Sequence, residues 1–71
     1  NMPMVVAPEG KSLRVIKVLT DEKTKRHLEN LGIMVNSEIT ILSVDGGSVI
    51  CLVKDGRIAL DKQIATKIFV S

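Results

Sequence analysis

From Glu38 to Leu60, short apolar runs alternate with turn residues at a spacing too tight for helices. Glu38–Val44 (EITILSV) and Ser48–Val53 (SVICLV) are rich in branched side chains and read as strands. Asp45-Gly46-Gly47 between them is a short hairpin signal. Lys54-Asp55-Gly56 marks a second hairpin, leading into Arg57–Leu60. Upstream, Ser12–Leu19 (SLRVIKVL) follows the Pro8-Glu9-Gly10 turn and has the same strand character. Asp61 is placed to cap one turn through Ala65, and Lys67–Val70 closes the chain as a last short strand.

One segment breaks this rhythm. Asp21–Leu31 contains neither Pro nor Gly, follows the capping residues Thr20-Asp21, and is followed by Gly32. A short side-chain oxygen accepts from the free amides of a first helical turn, and glycine takes the left-handed conformation that ends a helix. The expectation is one short helix with a narrow apolar stripe on Leu28 and Leu31, lying across a barrel mouth. In the turn Val35-Asn36-Ser37, Asn36 is the residue expected at positive φ.

Five short strands with tight turns and one helix after the first strand predict a mainly β fold, a small and nearly closed barrel. Ile39 and Ile41 are expected on one face of their strand, with Leu42 and Val44 on the other. Val49, Cys51 and Val53 likewise oppose Ile50 and Leu52. A sheet with one solvated face alternates apolar with polar. Apolar residues on both faces mean that the outer face is covered, by the chain's own helix and termini or by a partner.

The 71 residues make one domain with a thin core, since a chain of this size buries only roughly 60% of its unfolded surface. Met2 is expected to be the natural start, with Asn1 an added residue and the domain spanning 2–71. Neither a secretory signal nor a membrane-spanning run is visible, and the single cysteine, Cys51, rules out an internal disulfide. A soluble, cytoplasmic protein is expected. The net charge is +2, and the basic cluster Lys23–Arg26 directly follows Asp21-Glu22, the pattern of a solvated helix face.

The residues carry little chemistry. On a helix, His27 shares its face with Lys23, Thr24, Asn30 and Leu31, none of them a metal ligand partner. Cys51 lies between Val49 and Val53 in the manner of a buried, inert thiol. No nucleophile motif or phosphate loop is present, so neither an enzyme nor a cofactor is expected, and no residue is assigned a catalytic or metal role. Small barrels that hold single-stranded nucleic acid stack bases on aromatic rings. This chain has no Trp or Tyr, and its one Phe, Phe69, is expected in the core. A protein-contact module therefore fits best, with a nucleic-acid-binding barrel or a direct transition-metal carrier as alternatives.

The run Leu28-Glu29-Asn30-Leu31-Gly32-Ile33-Met34-Val35-Asn36-Ser37-Glu38-Ile39-Thr40-Ile41 resembles the helix-to-strand segment of the FeoA family, the small accessory proteins of bacterial ferrous iron transport. The family pattern there is Leu-x-x-Leu-Gly-Leu/Ile, commonly x-Pro-Gly, then an alternating strand. Pro8-x-Gly10, and Arg57-Ile58-Ala59-Leu60 followed by Ile64-Ala65, are similar to it as well. Val35-Asn36 replaces the usual Pro-Gly, and Asp55-Gly56 differs from the family's turn.

The resemblance implies an SH3-like barrel without enzymatic activity, in a cytoplasmic protein that supports the iron permease FeoB, whose cytosolic part is a G-protein domain. Self-association is compatible with it. The same domain also ends metal-dependent repressors that resemble the diphtheria-toxin repressor; here it is expected to stand alone, without a helix-turn-helix upstream, which favours transport. On this reading Leu28, Leu31, Ile33 and Met34 form part of the docking surface, with core packing of the helix onto the barrel as the alternative for Leu28 and Leu31; Met34 is the strongest candidate, because a flexible thioether beside a turn suits an adaptable contact.

Overall fold

A computed structural model describes residues 1–54 and 56–71. The expected strands form as β2 (Ser12–Val18), β3 (Glu38–Asp45), β4 (Ser48–Val53), β5 (Gly56–Leu60) and β6 (Ile68–Val70). The helix α1 spans Glu22–Asn30, and the Asp61-capped turn is α2 (Lys62–Ala65). Asp55, part of the second expected hairpin, lies outside the described residues.

Among the described residues the strand count is six, not five. Met2–Pro3 forms a further strand, β1, followed by a 3-10 turn over Met4–Val6. Two residues are too short to leave a periodic pattern in the sequence. The segment nevertheless matters, because Met4 is completely buried and the turn packs against β4, β6 and α2.

The sheet is antiparallel throughout, with order β1-β6-β2-β3-β4-β5. β2 serves both halves. Its first residues, Ser12–Arg14, pair with β3, and Val15–Val18 pair with β6 across a register shift at Ile16. The shift bends β2 and wraps the sheet around one core, giving extents of 28 × 24 × 21 Å. That core draws on alternate strand positions: Leu13 and Val15, Ile39 and Ile41, Val49, Cys51 and Val53, Ile68 and Val70.

Hairpin geometry fixes the phase of β3 and β4. Gly46 (φ 60) and Gly47 (φ 88) form a two-residue turn of the I′ kind, closing on the Asp45–Ser48 pair. A register shift then inserts Leu42 between the Ile41–Cys51 and Ser43–Ile50 pairs. This bulge corrects one expectation: Val44 pairs with Val49 and packs against the core, on the same side as Ile39 and Ile41.

Cys51 is buried as expected, and its Sγ lies 3.5 Å from the Ile58 carbonyl. Burial pushes its thiol up to about 11. Phe69, in contrast, is only half-buried: it pairs with Lys17 on β2, and the ammonium sits 4.8 Å from the ring centroid. The one aromatic ring is thus capped by a lysine of its own chain.

Candidate interaction surface

The end of α1 is built by its sequence in a way that separates the four expected contact residues into two pairs. Asp21 caps the start, its carboxylate accepting from the Thr24 amide at 3.0 Å. Thr24, through its side chain first and then this amide, holds the Asp21 carboxyl below its ordinary value. At the other end Gly32 (φ 92) donates to the Glu29 carbonyl at 2.9 Å, and Ile33 donates to the Leu28 carbonyl at 2.8 Å. These two bonds are a Schellman motif, which brings the residue after the glycine onto the residue five positions before it. Leu28 and Ile33 are that pair, and both are buried in the core.

Leu28 and Ile33 therefore fasten the helix end to the sheet, and their side chains are not available to a partner; this corrects their placement on the docking surface. Leu31 and Met34 are exposed, at 37% and 41%. Val35, which the sequence reading passed over, is 50% exposed beside them in the chain. The signal for it was the departure from Pro-Gly at Val35-Asn36, which puts an apolar side chain at the tip of a turn.

The turn that carries Met34 and Val35 is rigid. Ser37 donates its amide to the Met34 carbonyl at 2.9 Å, and Asn36 (φ 78) takes the positive-φ position. Two further backbone bonds tie the turn to β2: Asn36 N–H to the Val15 carbonyl at 2.8 Å, and Val15 N–H to the Ser37 carbonyl at 2.9 Å. Between turn and helix runs a shallow groove of about 270 Å³, lined by Val18, Lys25, Glu29, Ile33, Met34 and Val35. Its floor is apolar and its helix side carries one charge of each sign.

A second apolar area lies on the outer face of β4. Ile50 is 41% and Leu52 36% exposed, so neither the helix nor the termini cover this face. His27 is exposed on α1. Among the described residues no cluster of three His, Cys, Asp or Glu side chains is arranged to hold a metal ion, and no helix is long and apolar enough to cross a membrane.

The fold has close counterparts among solved structures. One is the crystal structure of an iron uptake regulatory protein, FeoA, with 21% identity over 97% of this chain and 93% of that one, at a TM-score of 0.86. An FeoA-like protein from Clostridium acetobutylicum superposes at a TM-score of 0.78, with 19% identity over 99% of this chain and 84% of that one. ScaR, solved with bound Zn2+, matches all of this chain at 23% identity and a TM-score of 0.86, but over only 36% of its own length, and a manganese-dependent transcriptional repressor matches 96% of this chain at 18% identity and a TM-score of 0.83, over 39% of its own length. No curated protein matches in sequence. At these identities the superpositions establish an SH3-like fold shared with FeoA proteins and with part of a metal-dependent repressor. The sequence itself goes further, matching the FeoA domain over residues 2–71, and on that ground the chain belongs to the FeoA domain family.

Proposed function

We propose that this protein is a non-enzymatic accessory of ferrous iron uptake, acting by contact with the cytosolic part of a FeoB-type permease through the turn after α1. FeoA domains are small accessory domains associated with iron uptake, which supplies the process. The observation that carries the contact is the pairing of exposure with rigidity at Met34 and Val35. A turn with two backbone bonds to a strand loses little backbone freedom on docking, so only the side chains remain to be ordered. Leu31 extends the surface onto the helix, and Met34 adapts its shape to the partner.

Such a contact acts on the permease by assembly, or by tuning its nucleotide turnover or gating. Co-purification with the detergent-solubilised full-length permease tests the reading. Wild type is expected to be retained and Met34→Asp lost, both folded. Equal retention of the two would remove Met34 from the contact, and retention of neither would set aside the permease as partner.

A further inference from the structure

The two edges of the sheet are built differently. β1 is two residues long and contains Pro3, which has no amide to donate, so that edge is blunted. β5 has five residues and no proline. β4 is its only neighbour in the sheet, and among the described residues none of Gly56–Leu60 makes a backbone hydrogen bond outside the ladder. An unprotected edge of this kind is a template for another strand.

The hairpin phase shows which groups are free. The Asp45–Ser48 pair closes the glycine turn, so Ser48 directs its amide and carbonyl to β3. Along an antiparallel ladder this direction alternates, and Val49, Cys51 and Val53 face β5. Their partners Leu60, Ile58 and Gly56 are thereby used, and Arg57 and Ala59 turn their N–H and C=O groups to the open side.

We propose that β5 pairs with β5 of a second copy, antiparallel, about a twofold axis at Ala59. Three axes on this edge bring the free groups of Arg57 and Ala59 on the two copies together. An axis at Arg57 sets two guanidinium groups opposite each other, and like charges directly opposite are unfavourable. An axis at Ile58 sets Arg57 against Ala59 and pairs no charge. An axis at Ala59 sets Arg57 against Asp61 of the second copy, twice by symmetry, with Ile58 against Leu60. The backbone of Asp61 is still extended (φ −71, ψ 168), so its N–H can reach the Arg57 carbonyl of the second copy, while its own carbonyl accepts from Ala65 at 2.8 Å; its exposed carboxylate caps α2 through one oxygen, at 2.9 Å from the Ile64 amide, and leaves the other for the guanidinium.

The same axis places Gly56 opposite Lys62 at the start of α2, where the missing side chain leaves room. On the outer face Ala59 pairs with the exposed Ile50, so the two copies join their apolar strips into one continuous row. The interface is isologous, as a closed dimer requires.

Sedimentation equilibrium over a wide concentration range, with amide hydrogen exchange, tests this. Wild type is expected to show a reversible dimer in which the Ala59 amide becomes protected as concentration rises, while Ile58 is protected throughout. Ala59→Pro removes an outward amide without touching the β4 ladder, and is expected to be monomeric. Arg57→Glu sets like charges opposite Asp61 and is expected to raise the dissociation constant about tenfold or more. Both variants should keep the wild-type amide spectrum outside β5. A chain that stays monomeric, or a dimer indifferent to both substitutions, would overturn the proposal. So would protection of Ala59 only on adding the permease's cytosolic part, which would make the occupant a foreign strand.

Discussion

Met34 and Ser37 hold each other across the turn after α1: the Ser37 amide donates to the Met34 carbonyl at 2.9 Å, and the Met34 amide donates to Ser37 Oγ at 3.0 Å. The reciprocal pair fixes the backbone that carries the exposed, flexible Met34 side chain. Ser37→Ala removes the second bond, at a cost of about 1 kcal/mol. The expected result is a small loss of stability in urea, with faster exchange of the Met34 amide and weaker partner binding than stability alone accounts for.

Leu28 and Met34 sit at opposite ends of the same argument, one in the core and one at the surface. Leu28→Ala is expected to lower stability by about 2–5 kcal/mol, as cavity-forming core substitutions do. Met34→Asp is expected to leave the urea midpoint nearly unchanged and to abolish partner binding. Chemical denaturation read beside a binding assay separates the two effects.

Asn36 holds a positive φ of 78 that most side chains resist. Asn36→Gly is expected to fold as well as wild type, while Asn36→Ala costs about 1 kcal/mol or somewhat more. Thermal unfolding of the pair measures it. The result also bears on the family's usual Pro-Gly, since it asks whether Asn36 stands in for the glycine.

Cys51 gives stability a dependence on alkaline pH. Its buried thiol titrates at about 11, above a solvated thiol, so the unfolded chain gives up that proton first. The contribution is therefore intact below the ordinary thiol range and is lost as pH rises toward about 11. Cys51→Val removes this dependence, and its urea midpoint is expected to fall less than that of wild type across the same window. In the native state, Cys51 should resist alkylation at neutral pH.

Most strands could be read from the chain because their signals are local. Gly46-Gly47, Asp61 and Gly32 act within a few residues of where they stand, and β4 alternates without interruption. What escaped the sequence depended on partners distant in the chain. The Leu42 bulge exists only against β4, and it turned Val44 inward although the run EITILSV gives no sign of it. Met4 fills the core from a segment too short to show a period. At the candidate site, Leu28, Leu31, Ile33 and Met34 are equally apolar as letters. The Schellman motif decides between them, sending Leu28 and Ile33 inward and leaving Leu31 and Met34 outside. The capping of Phe69 by Lys17 likewise needed the β2–β6 register.

The central claim is a protein contact made by the turn after α1, and an NMR titration of the labelled chain with the cytosolic domain of the permease tests it most directly. Run with and without guanine nucleotide, it is predicted to give saturable shifts clustered from Leu31 to Asn36, absent in Met34→Asp. Shifts confined to residues outside that turn, or none in any nucleotide state while oligonucleotides or ferrous iron produce them instead, would contradict the account.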